Sequence, residues 1–321
     1  MSELRWDPVL EEWVITATHR MARPVVLNDP NACPLCPGVL EIPGDFNIVS
    51  FENRFPSLHA EPPKPDLDDD ELYKVRDAKG ICEVIVYSSK HDGSLAEQSL
   101  QDVYNLVQVW KDRYEELSKL DFIDYVFIFE NKGKEIGVTM SHPHGQIYAF
   151  PYIPPKIQRE LDSSRRYKEK NGKCLFCEIL KKEKADSRRI ITENERFTAF
   201  IPFFAHFPYE VHIYANNHLG SLADFDEDHQ KDFARILKIV IMKYDNLFNI
   251  SFPYMMIMHQ EPTDGKDHSY YHFHLEFYPP YRSEGKLKFL AGCESGAGSF
   301  INDSAAEVKA KELRDKPPYS L

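Results

Sequence analysis

No run of apolar residues in this chain approaches the roughly 18 that a membrane-spanning helix needs. The opening residues, Met1-Ser2-Glu3-Leu4-Arg5-Trp6, are charged and lack the apolar core of a secretory signal. Basic residues are in deficit: 39 Lys and Arg against 51 Asp and Glu give a formal charge of −12, with no basic stripe. Such a surface repels nucleic acid and anionic membrane, so any phosphate-bearing ligand must be held by a local site. Cysteines number only six, Cys33, Cys36, Cys82, Cys174, Cys177 and Cys293. Four of them form two Cys-x-x-Cys pairs, which in a reducing compartment point to metal binding or redox work rather than a disulfide frame. The expectation is a cytoplasmic protein with no membrane and no nucleic-acid partner. Its 321 residues, 42% hydrophobic and 28% charged, suit two ordinary globular domains or one large one.

What is present is written twice. Tyr87-Ser88-Ser89-Lys90-His91-Asp92-Gly93-Ser94-Leu95-Ala96 aligns with Tyr214-Ala215-Asn216-Asn217-His218-Leu219-Gly220-Ser221-Leu222-Ala223. Glu52-Asn53-Arg54-Phe55 is echoed by Glu193-Asn194-Glu195-Arg196-Phe197, and each half has one Cys-x-x-Cys and one His-x-His. Five landmarks repeated in order imply two homologous α+β domains, 1–160 and 161–321, meeting near 155–172. Ile81 to Tyr87 reads as a strand matched by Glu210 to Tyr214, Asp124 to Glu130 by Tyr254 to Met258, and Gly145 to Phe150 by His272 to Tyr278. Between them lie amphipathic helices. Leu100, Val103, Leu106, Val107, Trp110, Tyr114 and Leu117 share one face; so do Phe233, Ile236, Leu237, Val240, Ile241, Tyr244 and Leu247. Ser94 and Glu97 have capping-box spacing and should open the first helix. Each domain is then an antiparallel sheet with helices packed on one side.

Two cysteines two residues apart can place both thiolates on one cation, and zinc prefers four N or S ligands in a tetrahedron. The first half offers Cys33, Cys36, His91 and His142; the second offers Cys174, Cys177, His218 and His272. The plainer readings are a redox pair or unrelated thiols, and the same ligand order in both halves favours zinc. Four protein ligands leave no open position, so these would be structural zincs.

Met140-Ser141-His142-Pro143-His144-Gly145-Gln146-Ile147 is the sharpest segment. Residues two apart in extended backbone face the same side, so His142 and His144 are neighbours that can serve different partners. An imidazole, with an unperturbed pKa of about 6.5, is largely neutral and nucleophilic at neutral pH. His144 attacking phosphorus would give a labile phosphoramidate able to pass a nucleotidyl group onward. Pro143 contributes a carbonyl without an N–H, Gly145 allows close approach, and Gln146 can donate a neutral hydrogen bond.

His142-Pro143-His144-Gly145-Gln146 resembles the signature of the galactose-1-phosphate uridylyltransferase family, a branch of the histidine-triad superfamily. Phe129-Glu130-Asn131-Lys132-Gly133, with Gly137 and Thr139, resembles that family's phosphate and ribose contacts. His19-Arg20-Met21-Ala22-Arg23-Pro24 resembles its early arginine pair, Asn53 a uridine-side asparagine, and Lys288-Phe289 with Glu294 its hexose-binding tail. The resemblance spans nearly the whole chain and implies two histidine-triad-like domains. It also implies a ping-pong transfer from UDP-glucose to galactose 1-phosphate through uridylyl-His144. In that scheme the Pro143 carbonyl holds the ring's other nitrogen, and Asn131, Thr139 and Gln146 stabilise phosphoryl charge. It further implies a homodimer with shared sites, to which Arg20 and Arg23 contribute in trans.

The chain departs from the family in its second half. Some members bind a different metal there through one glutamate and three histidines. Glu160, His259 and His274 resemble three of these, but Glu276 stands where the last histidine is expected. A second zinc on Cys174, Cys177, His218 and His272 is favoured, with the Glu160 cluster as its alternative. Three rival functions remain: an ADP-sugar or dinucleoside polyphosphate phosphorylase, a histidine-triad hydrolase, and a non-catalytic zinc scaffold. Gln146 is a poor acid–base group and argues against the hydrolase.

Overall fold

The structure, a computed structural model, describes residues 2–22, 33–40 and 42–318. The N-terminal strands β1 (Ser2–Asp7) and β2 (Glu12–Ala17) form a hairpin. The next strands are β3 (Val49–Glu52), β4 (Val75–Asp77) and β5 (Ile81–Val86), and β4 joins β1 to complete a small three-stranded sheet. Helix α1 (Leu100–Leu117), β6 (Tyr125–Lys132) and β7 (His144–Phe150) finish the first half. Helices α2 (Pro155–Asn171) and α3 (Leu175–Asp186) then lead into β8 (Ile190–Glu193), β9 (Phe197–Phe200) and β10 (Val211–Ala215). Helix α4 (Glu227–Phe248), β11 (Tyr254–His259) and β12 (His274–Tyr278) repeat the earlier order.

The repeat is visible in the strand order. The main sheet runs β3-β5-β7-β6-β11-β12-β10-β9-β8, so β5-β7-β6 is mirrored by β11-β12-β10. The two half-sheets anticipated from sequence are thus one antiparallel sheet, closed at the centre where Tyr254 to Ile257 of β11 pair with Lys132 to Phe129 of β6. Each half on its own would present an unpaired edge, and joining the two satisfies both rows of backbone groups.

Helices α1 and α4 pack on each other and on one face of this sheet. Their apolar faces, including Trp110, Phe233 and Tyr244, are fully buried with strand residues Ile128, Ile147, Met256 and Phe277. The expected Ser94 cap does not open α1. Ser99 is its N-cap, its side chain accepting from the Asp102 N–H, while Ser94 and Glu97 close a turn just upstream. The second half does likewise: Ser221 and Asp224 cap a short 3₁₀ turn, and Asp226 caps α4 by accepting from the His229 N–H.

The other face differs between halves. In the second half α2 and α3 cover it, burying Ile157, Leu161, Phe176 and Leu180 against Tyr125, Phe200, Tyr214 and Tyr271. Helices therefore lie on both sides there, and the stretch marked from sequence as the junction is itself α2. In the first half the β7 residues His144, Gln146 and Tyr148 on that face stay partly accessible. The C-terminal segment adds the hairpin β13 (Tyr281–Ser283) and β14 (Lys286–Leu287), then α5 (Gly292–Ala297) and α6 (Ala306–Arg314). Among the described residues no helix is long and apolar enough to cross a membrane.

Candidate active site and metal centres

The structure brings Cys33, Cys36, His91 and His142 together, with ligand atoms within 4.8 Å of one another. His91 Nδ1 lies 3.3 Å from Cys36 Sγ, and His142 Nδ1 lies 3.8 and 3.7 Å from Cys33 and Cys36 Sγ. A tetrahedral zinc with ordinary Zn–S and Zn–N bonds would separate S and N by about 3.6 Å, so the donor set fits that ion. The outer nitrogens are also engaged. His142 Nε2 meets the Ser88 carbonyl at 2.7 Å, and His91 Nε2 meets Ser141 Oγ at 3.2 Å. A carbonyl only accepts, so His142 carries its proton on Nε2 and turns the Nδ1 lone pair to the thiolates. Burial lowers the His142 pKa, which keeps that lone pair available.

The second cluster copies the first. His272 Nδ1 is 4.0 and 3.4 Å from Cys174 and Cys177 Sγ, and His218 Nδ1 is 3.6 Å from Cys177 Sγ. His272 Nε2 meets the carbonyl of Ala215, which is Ser88's counterpart in the repeat, at 3.0 Å. A hydrogen bond from Cys177 holds Cys174 low, helped by His218 and His272, while Cys177 is pushed up.

The Glu160 cluster, weighed above as an alternative to this second zinc site, exists beside it. Glu160, His259, His274 and Glu276 converge within 4.8 Å, nearly all buried under α2 and α3. His259 Nδ1 is 3.1 Å from both His274 Nε2 and Glu160 Oε2, and His274 Nε2 is 3.6 Å from Glu276 Oε1. The two sets share no residue, and His274 Nδ1 is bound to the His272 carbonyl at 2.9 Å, which turns its Nε2 to the cluster. Two imidazoles and two carboxylates form an N/O donor set of the kind that suits a first-row divalent ion. Lys156 Nζ sits 2.7 Å from Glu276 Oε2 and Tyr271 Oη donates to Glu160 at 2.6 Å. Although burial pushes Glu276 up, His212, His259 and Lys156 hold it well below the usual carboxylate range. Neither Lys156 nor Tyr271 was marked in the sequence. Nothing local distinguishes them, since α2 and β12 meet only in the fold.

His144 stands at the start of β7, in the position His274 holds in the repeat. Its Nδ1 is 2.7 Å from the His142 carbonyl. This corrects the role given to Pro143, whose carbonyl instead accepts from the Tyr87 N–H at 3.0 Å. Alternate carbonyls of an extended strand point to opposite edges. That of Pro143 faces the β5 side and is used in pairing. That of His142 faces the β6 side before the β6–β7 ladder begins, and the ring takes it. Nδ1 therefore carries the proton, and the ring's second lone pair is on Nε2.

His144 lines a cavity of about 440 Å³ with Asn131, Gly133, Thr139 and Ser141. Gly133, which lines it, and Gly137, which does not, adopt positive φ, +105° and +83°, on either side of a 3₁₀ turn. Gln146 and Asn53 meet further along β7, with Asn53 Nδ2 3.4 Å from Gln146 Oε1. Arg20 Nη1 donates to the Phe55 carbonyl at 2.7 Å and Ser57 Oγ at 2.8 Å, and reaches Tyr148 Oη at 3.4 Å. Arg23 lies outside the described residues. Lys288, Phe289 and Glu294 do not line the cavity. Lys288 and Phe289 follow β14 and Glu294 lies in α5, where Lys288 Nζ pairs with Glu294 at 3.1 Å and Phe289 is 74% exposed.

Gly145 is tighter than its sequence context suggests. A Cβ there would fall 2.0 Å from the Tyr87 hydroxyl, so on the helix-covered face the glycine makes room for Tyr87.

Two family models match the chain: galactose-1-phosphate uridyl transferase, N-terminal domain, over residues 1–154, and its C-terminal domain over 160–320. A galactose-1-phosphate uridylyltransferase of Thermotoga maritima is 44% identical over 316 residues, 98% of each chain. Among solved structures, a uridylyltransferase superposes with a TM-score of 0.89 at 35% identity, covering 97% of both chains. An ADP-glucose phosphorylase from Arabidopsis thaliana with bound ADP-glucose gives 0.76 at 26% identity, covering 99% of both.

Proposed function

The chain belongs to the galactose-1-phosphate uridylyltransferase family and is a nucleotidyltransferase, and we propose that His144 carries a uridylyl group from UDP-glucose to galactose 1-phosphate. The observation that carries this reading is the His144 ring, its Nδ1 proton fixed on the His142 carbonyl in a residue that lines the cavity. Nε2 attacks the α-phosphorus of UDP-glucose; the bond to the bridging oxygen breaks, and its electron pair leaves with glucose 1-phosphate. The His142 carbonyl, holding the Nδ1 proton throughout, stabilises the positive charge on the uridylylated ring. A phosphate oxygen of galactose 1-phosphate then attacks the same phosphorus and releases neutral His144 with UDP-galactose. Asn131 and Thr139 donate to the phosphoryl oxygens as charge grows, each worth on the order of 2–4 kcal/mol of barrier. Gln146, oriented by Asn53, serves the same group from further along β7.

In this reading Cys33, Cys36, His91 and His142 hold a structural zinc that anchors the residue two before the nucleophile. Cys174, Cys177, His218 and His272 hold a second, and the Glu160 cluster takes a further divalent ion. Residues 1–160 perform the chemistry and 161–321 support it, because α2 and α3 bury the duplicated histidine, His274, beneath the fold. Arg20, Arg23, Lys288, Phe289 and Glu294 serve a site completed by a second copy of the chain. A cytoplasmic setting would keep the free thiols reduced for metal.

Intact-mass measurement after incubation with UDP-glucose alone should show a uridylyl adduct that is absent in His144→Asn and discharged by galactose 1-phosphate. Labelling by ADP-glucose only would overturn the uridylyl assignment. Product formation with no adduct from either donor would overturn the covalent role of His144.

A further inference from the structure

Beneath the nucleophile, on the face covered by α1 and α4, a row of polar side chains crosses four strands. Ile85 pairs with Gly145, which sets Tyr87 two residues on along the same face. Ile128 pairs with Ile147 and Phe129 with Gln146, so Glu130 comes next in register opposite Gly145. Met256 pairs with Glu130, and Tyr254 lies diagonal to it. Because residue 145 has no side chain, the Tyr87 hydroxyl occupies the place of its Cβ and crosses under the nucleophile strand. On the far side is the Glu130 carboxyl, 5% exposed, with Tyr254 Oη donating to its Oε1 at 3.2 Å. The remaining oxygen, Oε2, and the Tyr87 hydroxyl are both shut off from solvent, and neither has a hydrogen-bond partner. Each is the natural complement of the other, and a buried polar group left alone would cost about 1–3 kcal/mol.

We propose that Glu130 is a positioning residue for the transfer. Its carboxyl, shared between Tyr254 and Tyr87, holds the Tyr87 hydroxyl under Gly145 and so fixes the backbone that carries His144. Tyr87 is pinned at its other end as well: its N–H donates to the Pro143 carbonyl, and its ring meets Trp110 edge-on at a centroid distance of 6.0 Å. The nucleophile is thus gripped from both neighbours, Pro143 through the Tyr87 backbone and Gly145 through the Tyr87 side chain. Glu130 stands at the edge of the cavity, but its carboxyl lies with Tyr254 on the face of the sheet opposite the His144 ring. It acts through Tyr87 on where the His144 ring sits relative to phosphorus.

The inference rests on His144 being the covalent carrier, and one experiment separates the two. Single-turnover labelling by UDP-glucose is followed in wild type, Glu130→Ala, Glu130→Gln and Tyr87→Phe, with donor affinity and zinc content measured alongside. Glu130→Ala and Tyr87→Phe should label about 10–100-fold more slowly, the scale of a small misplacement of a reacting group. Donor affinity and zinc should stay unchanged, and Glu130→Gln, whose carbonyl oxygen still accepts from Tyr254 while its amide donates to the Tyr87 oxygen, should recover most of the rate. If Glu130→Ala does not fold, Tyr87→Phe, which keeps the ring, carries the test. Wild-type labelling rates in the folded variants, or a loss confined to donor affinity, would overturn the proposal. Absence of labelling in the wild type itself would instead remove the covalent reading beneath it.

Discussion

Replacing Gly145 by alanine tests whether the glycine of the His-Pro-His-Gly-Gln segment is there for the ligand or for the fold. Residue 145 does not adopt positive φ, so backbone conformation alone would make alanine stabilising by roughly 0.4–1 kcal/mol. The surroundings reverse that sign. The added Cβ would meet Tyr87 Oη at 2.0 Å, Tyr87 Cζ at 2.9 Å and the Phe129 carbonyl at 3.2 Å. Tyr87 cannot swing aside, being fully enclosed between Trp110 and the sheet with its N–H bound to Pro143. Overpacking of this kind costs about 1–3 kcal/mol, so Gly145→Ala should lower the denaturant midpoint rather than raise it. Removing the hydroxyl by Tyr87→Phe relieves the shortest contact but leaves the ring carbon. The double mutant should therefore recover part of the loss, with a coupling of about 0.5–3 kcal/mol in a double-mutant cycle. Urea unfolding of the four proteins measures both quantities. An unchanged or higher midpoint for Gly145→Ala, or strict additivity with Tyr87→Phe, would refute the close approach beneath the strand.

Burial pushes the Glu130 carboxyl up to about 7, against the lowering effects of Lys132, Tyr254 and Tyr87. The facing charges are Lys132 on its own strand and Asp245 on α4, which pair at 3.2 Å. A carboxyl whose pKa rises on folding stabilises the fold fully below its unfolded value, and that contribution is lost as pH rises through the folded one. Wild-type stability relative to Glu130→Gln should therefore fall between about pH 4.5 and 7, by on the order of 3 kcal/mol in all, and stay level above that. Urea unfolding across that range checks it, and a parallel pair of curves would contradict it. Metal analysis of Cys33→Ser and Cys174→Ser should show about one zinc fewer per chain in each case, since each serine removes one of four ligands from a different cluster. A loss of both zincs from either variant would mean that the sites are not independent.

Much of this molecule was legible in the residues. The duplicated landmarks gave the two halves and both Cys-x-x-Cys ligand sets, because a repeat carries its own control: His218 and His272 could be placed by analogy with His91 and His142. The helix faces of α1 and α4 followed from period alone. Caps were less secure, since Ser94-x-x-Glu97 and Ser99-x-x-Asp102 compete within one turn, and only packing decides which starts the helix. The Glu160 cluster stands in the sequence as an alternative to the second zinc because it resembles the metal set of family members that lack the second Cys-x-x-Cys, and only the fold puts the two sets side by side. The carbonyl of residue 142 or 143 was equally undecidable, as strand pairing settles which one the sheet consumes.

By itself the sequence determined the chemistry available to this protein: one nucleophilic imidazole in a five-residue segment, thiolates spaced for zinc, and a duplicated plan of strand and helix. Tertiary structure decided which copy of that plan could use it. His144 and His274 have the same local geometry, each with Nδ1 on the carbonyl two residues before. One faces a cavity because its side of the sheet is open; the other is buried with Glu160, His259 and Glu276 because α2 and α3 lie over it. Local geometry comes from adjacent residues and is written in the chain, whereas access to a ligand depends on distant segments, and only the folded packing places those.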